Sequence, residues 1–302
     1  MNTKAGYVTI IGKPNAGKST LMNQLLGEKL SIITNKPQTT RKRVLGILTK
    51  EDCQIIFLDT PGILNPNYLL QEKMMEFVFR SVQDADIILM IIDITDDPDG
   101  NKTFKDEKIS EILEKKNKKI ILLLNKVDLS EEKDLNKLEN MFREKSGIED
   151  VIPVSALRGF NVDLLLNMLA NKLPDHPKYY PDDQLTDEPE RFFVSEIIRE
   201  KILDIYKDEI PYSVEVGIEE FKERERGKDY ISALIYVERE SQKPIIIGKQ
   251  GATIKKLGEV ARDAIEEFLQ RQVYLELRVK VRSKWRSEEK YLKNFGYFPD
   301  HD

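Results

Sequence analysis

The sequence predicts an α/β domain built on a mostly parallel sheet, followed by a smaller α+β domain. Short apolar runs alternate with longer helical patterns over residues 1–173, a proline-rich acidic stretch follows at 174–190, and the order of elements then changes. Alternating apolar runs and helical patterns are typical of a parallel sheet wrapped by helices. A change of pattern after a proline-rich stretch indicates a domain boundary.

The composition is that of a soluble protein with a well-charged surface. The 302 residues are 40% hydrophobic and 33% charged, with a net charge of −5. No run approaches the ~20 apolar residues of a membrane span, and the first residues lack the apolar core of a secretory signal. We therefore expect a cytoplasmic protein. Cys53 is the single cysteine and is expected to be a buried thiol, while His176 and His301 are too few and too peripheral for histidine-based catalysis.

Six apolar runs predict the strands of the first domain. Several are apolar throughout, as strands buried on both faces must be. The runs cover residues 7–11, 43–48, 54–59, 87–93, 119–125 and 151–155. Only TKEDC separates the second run from the third, which suits a hairpin, so one edge strand is predicted to be antiparallel.

The remaining third of the chain divides into a linker, a second domain and a tail. Residues 174–190 contain four prolines and little apolar periodicity, which predicts an interdomain linker. The second domain, 191–286, is predicted from a helix at 191–206, strands at 212–221 and 229–239, a loop and helix at 248–270, and a strand at 273–285. The tail, 287–302, is predicted to form a short helix at 288–298, with Trp285 and the later aromatic residues packed on the domain.

The stretch GKPNAGKST, residues 12–20, matches the phosphate-binding pattern G-x-x-x-x-G-K-[ST]. Its glycines let the backbone N–H groups turn inward and form an anion nest at the start of a helix. Lys18 is expected to reach the outer phosphates and Ser19 to bind Mg²⁺. The predicted nucleotide-binding residues of this loop are Gly12, Lys13, Pro14, Asn15, Ala16, Gly17, Lys18, Ser19 and Thr20. The loop alone does not separate ATP from GTP.

A second motif, LDTPG at 58–62, ends the third predicted strand. Asp59 can hold the metal through water, and the Gly62 N–H can meet a γ-phosphate. The polar stretch TNKPQTTRKR (34–43) offers Thr40, or alternatively Thr39, to close over Mg²⁺ and to release it after hydrolysis. The predicted metal ligands are Ser19, Thr40 and Asp59, and the predicted catalytic residues are Lys18, Thr40 and Gly62.

The stretch LLLNKVDLS, residues 122–130, indicates which base is bound. The Asp128 carboxylate can accept hydrogen bonds from the ring N–H and the amine of guanine, whereas adenine offers no such pair of donors. A site built on buried hydrogen bonds rejects such analogues strongly. Asn125 belongs to the same motif, and the Lys126 stem can cover one face of the base. Backbone N–H groups of the later stretch VSALRG, at Ser155 and Ala156, are expected to bind the guanine carbonyl oxygen.

The residue after LDTPG is informative because it is not glutamine. Ras-type GTPases orient the attacking water with a glutamine at this position. Here the residue is Ile63. We therefore expect slow intrinsic hydrolysis, with the water positioned by another residue, an ion or a bound partner.

Taken together, GKPNAGKST, PQTTR, DTPGI, NKVD and VSALRG resemble the motifs of the Era GTPases, and the resemblance covers essentially the whole chain. It implies an α/β P-loop GTPase domain followed by a type II KH domain. It further implies GTP hydrolysis coupled to small ribosomal subunit assembly, binding near the 3′ end of small-subunit ribosomal RNA, and peripheral contact with the inner face of the plasma membrane. Some relatives with an apolar residue after D-x-x-G are activated by potassium through an asparagine that matches Asn15, so the predicted cofactors are GTP or GDP, Mg²⁺ and K⁺.

The second domain independently predicts RNA binding. Gly248 to Gly251 read GKQG, the G-x-x-G loop with which KH domains clamp about four unpaired nucleotides. Residues 243–286 carry a net charge of +6 although the whole chain is acidic, and alternating basic residues on the last strand share one face. The predicted RNA-binding residues are Gly248, Lys249, Gln250, Gly251, Lys255, Lys256, Arg278 and Lys280.

The leading hypothesis is a GTPase switch that loads or checks RNA. One alternative is an RNA-binding module with a vestigial nucleotide domain, against which the intact Lys18, Asp59 and Asp128 argue. Another alternative is a P-loop kinase that phosphorylates a small molecule. The guanine motif and the absence of an obvious lid sequence weigh against the kinase.

Overall fold

The computed structural model describes residues 3–114, 118–130, 132–144 and 147–298. By their contacts the residues form two compact units. The first comprises Met1–Pro66 and Met74–Asp187, and the second comprises Asn67–Lys73 and Glu188–Asp302. His301 and the end of the predicted tail lie outside the described residues. No helix in the described ranges is both long and apolar enough to cross a membrane.

The first unit is a six-stranded sheet with helices between most of its strands. The strands are β1 (Lys4–Gly12), β2 (Val44–Thr49), β3 (Cys53–Asp59), β4 (Ile87–Asp93), β5 (Lys119–Asn125) and β6 (Asp150–Val154). The helices are α1 (Lys18–Leu26), α2 (Leu69–Asp84), α3 (Asn101–Phe104), α4 (Glu107–Leu113), α5 (Glu132–Arg143) and α6 (Val162–Lys172). The start of α2, up to Lys73, is grouped with the second unit. The strand order is β2-β3-β1-β4-β5-β6. Among the described strands of this sheet, only β2 runs antiparallel to its neighbour, and this confirms the predicted hairpin.

The central strands are buried because helices and loops cover both faces of the sheet. All seven residues of β3 are buried, and so are six of the seven in β5. Cys53 lies in this layer with 4% of its surface exposed, as expected for a structural thiol, and its burial raises the pKa of the thiol. The parallel strands end at one edge of the sheet, where ligands of open α/β sheets bind.

Residues 174–187, predicted to be part of a linker, belong to the first unit and lie along the β2 side of the sheet. The buried Gln54 amide accepts a hydrogen bond from the Tyr180 N–H (3.0 Å) and donates one to the Tyr180 carbonyl (2.9 Å). Further along, the Leu185 carbonyl accepts from the Ile47 N–H at 2.8 Å. Free backbone groups of the edge strand are thereby paired. The segment has no regular secondary structure, but its hydrogen bonds attach it to the first unit, so it is not a free linker.

The second unit packs helices on one face of a three-stranded sheet. Its elements are α7 (Glu190–Ile205), β7 (Glu215–Lys222), β8 (Asp229–Val237), α8 (Gln242–Ile247), α9 (Ala252–Leu269), β9 (Val273–Val281) and α10 (Glu289–Asn294). The central strand β8 is antiparallel to β7 and parallel to β9. Apolar residues of α7, β8 and α9, including Ile198, Ile231 and Ile265, form one buried core.

The end of the chain completes this unit. Trp285 is fully buried and its indole N–H donates to the Ser213 carbonyl at 2.9 Å. Tyr297 is 1% exposed and its hydroxyl donates to Glu215 at 2.6 Å. The prediction that these aromatic residues pack on the domain is confirmed. Residues 287–298 are thus part of the second unit and not a detached tail.

Candidate nucleotide-binding site

A cavity of about 510 Å³ lies at the edge of the first sheet where the parallel strands end. All of the motifs singled out in the first domain contribute to its wall. The lining includes Pro14, Asn15, Gly17, Lys18, Ser19, Thr20, Thr39, Thr40, Gly62, Asn125, Lys126, Asp128 and Ala156. Segments that are more than 100 residues apart in sequence therefore meet at one crevice.

Asn125 joins the first and last of these segments. Its amide donates to the Ala16 carbonyl at 2.8 Å and accepts from the Ala156 N–H at 2.9 Å. Gly17 has a φ of +102°, and a Cβ there would lie 2.2 Å from the Asn125 amide nitrogen. Only glycine combines this backbone conformation with such a close approach. Asn125 therefore holds the loop of Ala16 to the loop of Ala156, whereas the sequence predicted it only as a nucleotide contact.

Lys18 is buried and turns back onto its own loop. Its ammonium donates to the Lys13 carbonyl at 2.9 Å and to the Gly12 carbonyl at 3.3 Å. Burial lowers the pKa of Lys18 to about 8, with the negative charge of Asp59 opposing the shift. A phosphate placed in the loop would offer this ammonium a charged acceptor in place of two neutral ones. The position fits the phosphate-binding role predicted for Lys18.

The three predicted metal ligands lie together. The Ser19 hydroxyl is 2.7 Å from an Asp59 carboxylate oxygen and 2.9 Å from the Thr40 hydroxyl. Asp59 is fully buried, and its other oxygen has no hydrogen-bond partner among the described residues. Burial raises the pKa of Asp59. An unpaired buried carboxylate oxygen beside two hydroxyls fits a hard cation such as Mg²⁺.

The structure distinguishes between the two threonines that the sequence left open. The Thr40 hydroxyl faces Ser19 and lies 3.4 Å from the Asp59 carboxylate. The Thr39 hydroxyl instead contacts the Thr34 hydroxyl at 2.7 Å. Thr40, and not Thr39, therefore lies beside Ser19 and Asp59.

The D-x-x-G segment rests directly on the phosphate loop. The Ile63 N–H donates to the Gly12 carbonyl at 3.0 Å, and the Ile63 side chain is buried. A Cβ on Gly62 would lie 2.7 Å from the Pro14 nitrogen. The close contact explains the need for glycine at position 62. The buried apolar Ile63 side chain offers no group to orient a water molecule.

The carboxylate predicted to read the base is held by a serine. The Ser155 hydroxyl donates to Asp128 at 2.6 Å and accepts from the Arg158 N–H at 3.1 Å. A hydroxyl that must accept from the backbone points its own proton at the carboxylate. Ser155 therefore orients Asp128 within the crevice.

The predicted role of the Ser155 and Ala156 amides differs from what the structure places there. The Ser155 N–H donates to the Phe160 carbonyl at 3.2 Å, and the Ala156 N–H donates to Asn125. Both amides are thus already hydrogen-bonded within the protein. The sequence does not reveal these partners, because one lies in a local turn and the other on a strand distant along the chain.

Two charged contacts at the crevice escaped sequence reasoning. The Lys13 ammonium, predicted as a nucleotide contact, forms an ion pair with Asp106 at the start of α4. The Lys126 ammonium pairs with Asp93 at the end of β4. The sequence pattern could have pointed to Asp93, because it is an acidic residue at the end of a buried apolar run, and the next such run ends at Asn125.

In the second unit, the GKQG loop lies between α8 and α9. Gly248 has a φ of +74°, and a Cβ there would lie 2.1 Å from the Thr253 hydroxyl. The side chains of Lys249, Gln250, Lys255 and Lys256 are exposed around the loop and the first turns of α9. The loop therefore presents backbone and basic side chains to solvent on one side of the unit.

Arg278 and Lys280 do not join that surface. Their neighbours Leu277 and Val279 pack on the apolar core under α9, so the alternation of β9 directs the basic side chains to the opposite face of the sheet. Arg278 forms an ion pair with Glu219 and donates to the Ser232 hydroxyl at 3.0 Å. The predicted RNA-binding residues thus fall on two faces, one around the GKQG loop and one on the outer side of the sheet.

Comparison with known proteins agrees with both units. A family model described as a 50S ribosome-binding GTPase matches residues 7–126, and a KH domain model matches residues 209–286. The chain is 44% identical to GTPase Era of Clostridium botulinum, with 97% of this chain and 98% of the relative covered. It is 46% identical to the chloroplastic GTPase ERA1 of Zea mays, over 98% of this chain and 71% of the relative.

Solved structures resemble the chain over nearly its full length. One is an Era variant from Aquifex aeolicus bound to GDP and aluminium fluoride, at 41% identity and a TM-score of 0.89. Another is Era in complex with MgGDPNP and nucleotides 1506–1542 of 16S ribosomal RNA, with the same identity and score. In both cases 98% of this chain and 99% of the other are covered. The chain therefore belongs to the Era GTPase family and is a GTPase.

Proposed function

We propose that this GTPase works as a nucleotide-dependent RNA-binding switch in assembly of the small ribosomal subunit. The observation that carries the proposal is the convergence, in one crevice, of a phosphate loop, an unpaired buried carboxylate oxygen and a serine-held Asp128. The KH unit supplies the RNA-binding surface.

At the phosphate end, Lys18 would stabilise the β- and γ-phosphates, and the Gly62 N–H would meet the γ-phosphate. Ser19, Thr40 and Asp59 would hold Mg²⁺, which supplies positive charge against the phosphate oxygens. Closure of Thr40 over the cation would depend on the γ-phosphate, because ordering of such a loop is the usual response of GTPase switches. GTP and GDP would thus be distinguished by the position of residues 34–43.

At the base end, Asp128 would accept two hydrogen bonds from guanine and Lys126 would cover one face of the ring. Hydrolysis needs a further contribution, since Ile63 replaces the water-orienting glutamine. K⁺ is one candidate, and Asn15 is the residue proposed to bind it. The Asn15 amide donates to the Asn35 carbonyl at 3.1 Å, so this side chain already lies against the switch segment.

The second unit is proposed to bind small-subunit ribosomal RNA near its 3′ end. The related Era structure that holds nucleotides 1506–1542 of 16S ribosomal RNA supports this choice. The exposed GKQG loop and its basic neighbours fit a clamp on unpaired nucleotides. Arg278 and Lys280 are proposed as secondary contacts only, because Arg278 is engaged with Glu219.

The description of the matching family model names the large ribosomal subunit, whereas the solved complex contains small-subunit RNA. The GTPase model covers only the first unit, and the full two-unit architecture is shared with the protein in the RNA complex. We therefore propose the small ribosomal subunit, and not the large one, as the partner. A cytoplasmic location is proposed from the sequence, and peripheral contact with the plasma membrane is proposed from the family resemblance alone. Sedimentation with liposomes tests the membrane contact.

The test is phosphate release from GTP by the purified full chain, with and without small or large ribosomal subunits and with K⁺ or Na⁺. We expect slow basal turnover that small subunits accelerate, together with protection of the 3′ region of their RNA in GTP but less in GDP. Absence of turnover under all conditions would favour an RNA-binding module with a vestigial nucleotide domain. Acceleration by large subunits alone would contradict the proposed partner.

A further inference from the structure

The turn that carries the base-covering lysine is conformationally unusual. Lys126 has a φ of +69°, the left-handed region that non-glycine residues seldom adopt. It directly follows β5 and precedes a short 3₁₀ turn, Val127–Leu129, that contains Asp128. Such a conformation persists only where the surroundings determine it. Contacts made by the Lys126 side chain are therefore relevant to the whole base end of the crevice.

The Lys126 ammonium is bound by Asp93, from the neighbouring strand. Asp93 ends β4 and lies opposite Asn125 in the parallel register of β4 and β5. The ion pair is partly buried, with side-chain exposures of 34% for Lys126 and 14% for Asp93. The pair thus joins two adjacent strand ends at the rim of the crevice.

Asp93 is itself held in place. One carboxylate oxygen accepts from the Thr95 N–H at 3.0 Å and from the Thr95 hydroxyl at 2.6 Å, and the other accepts from Lys126. Burial raises the pKa of Asp93, but the hydrogen bonds from Lys126 and Thr95 outweigh burial, so its pKa lies below the ordinary value. Both oxygens are engaged, and the carboxylate is therefore an oriented, ionised anchor.

An anchored ammonium matters because lysine has a long flexible stem. A free stem loses its rotamer freedom when it is ordered against a ring, and this loss weakens binding. Tethering the ammonium to Asp93 fixes both ends of the stem before the nucleotide arrives. The stem is then organised in advance to cover the face of the base.

We propose that Asp93, held by Thr95, is a positioning residue for guanine nucleotide binding that acts through the ammonium of Lys126. The inference rests on the proposed guanine site at Asp128 and Lys126. Asp93 should contribute to GTP and GDP alike, because the contact lies at the base and not at the phosphates.

The test measures GDP and GTP dissociation constants and steady-state hydrolysis for Asp93→Asn in the full chain. Asparagine keeps an acceptor for Thr95 but loses the charge that binds Lys126. We expect both dissociation constants to rise about tenfold, equivalent to ~1.4 kcal/mol, with KM following and kcat changing much less. Asp96→Asn is the matched control, since Asp96 is exposed and pairs only with Lys102 among the described contacts.

A double-substitution cycle tests whether Asp93 acts on nucleotide binding through Lys126. In a Lys126→Met background, Asp93→Asn should change the GDP dissociation constant by less than about twofold, because the partner is already gone. An equal loss in both backgrounds, or no loss in the native background, would overturn the inference. If Lys126→Met itself leaves GDP binding unchanged, the proposed base pocket fails instead.

Two further variants test the same role of Asp93 in independent ways. Should Asp93→Asn fail to fold, Thr95→Val removes only the hydroxyl that orients Asp93 and should weaken GDP in the same direction by about threefold. Unchanged affinity in a folded Thr95→Val protein would then overturn the inference. In an Asp128→Asn background assayed with xanthosine triphosphate, Asp93→Asn should cost the same factor, since the lysine stem contacts the face of the base and not its edge.

Discussion

Replacing Asn125 with alanine tests whether one buried amide holds the nucleotide crevice together. The substitution removes both hydrogen bonds that join the loop of Ala16 to the loop of Ala156. It leaves a carbonyl and an N–H unpaired, and a buried unsatisfied group costs about 1–3 kcal/mol. Two such groups give about 2–6 kcal/mol.

Access of water to the cavity should place the measured loss at the lower end of that range. A loss of ~2 kcal/mol in nucleotide binding corresponds to a dissociation constant about 30-fold higher. The assay is titration with a fluorescent GDP analogue, together with urea unfolding of the nucleotide-free protein. The second measurement separates loss of overall stability from loss of the organised crevice.

Asn125→Asp is the sharper comparison. It retains an oxygen acceptor for the Ala156 N–H but faces the Ala16 carbonyl with a carboxylate oxygen in place of an N–H donor. We expect it to bind GDP no better than the alanine variant. Asn171→Ala on α6, where the side chain is exposed, is the control for a harmless loss of an amide. Native-like GDP affinity in Asn125→Asp, or a loss below ~0.5 kcal/mol in both assays for Asn125→Ala, would refute the reasoning.

Three other outcomes are expected. Asp128→Asn should weaken GTP and favour xanthosine triphosphate, because the amide reverses the hydrogen-bond demand; competition binding with both nucleotides checks the reversal, and an unchanged base preference would contradict it. Because burial lowers the pKa of Lys18 to about 8 and a bound phosphate stabilises the ammonium, GDP binding in EDTA should take up about half a proton at pH 8, where the terminal phosphate of GDP is already ionised. GDP affinity should then fall as the pH rises above 8; calorimetry in buffers of different ionisation enthalpy measures the uptake, and no uptake would place Lys18 outside the phosphate site. Replacing Gly248 and Gly251 with Asp should abolish RNA binding in a filter assay while basal GTP turnover persists, and retained RNA binding would locate the footprint elsewhere.

The strands and the crevice could be anticipated because their signals are local. Strands such as β3 and β5 are buried on both faces, so their apolar runs are visible without knowledge of the neighbours. Binding motifs follow directly at the ends of such strands. The parallel order then brings Lys18, Asp59 and Asp128 to one edge, as topology requires.

Contacts between distant segments could not be anticipated in the same way. Composition identified residues 174–187 as irregular, but the Gln54 amide that fixes them lies more than 120 residues earlier in the chain. Likewise, no feature of the sequence near Lys13 predicts its ion pair with Asp106. A side chain that pairs across the fold leaves no periodicity, so its partner becomes apparent only in three dimensions.

The two ends of the crevice differ in how far they are organised by the protein itself. At the base end, side-chain contacts already hold the groups in place, as the pairs Asp128 with Ser155 and Lys126 with Asp93 illustrate. At the phosphate end, one oxygen of Asp59 lacks a partner among the described residues and Lys18 bonds only neutral carbonyls of its own loop. Binding of the base, which GTP and GDP share, is therefore expected to order little of the protein, and the β-phosphate adds its contact with Lys18 for both nucleotides. Discrimination between the two nucleotides is expected at the γ-phosphate, where the Thr40 hydroxyl faces Ser19 and the Asp59 carboxylate.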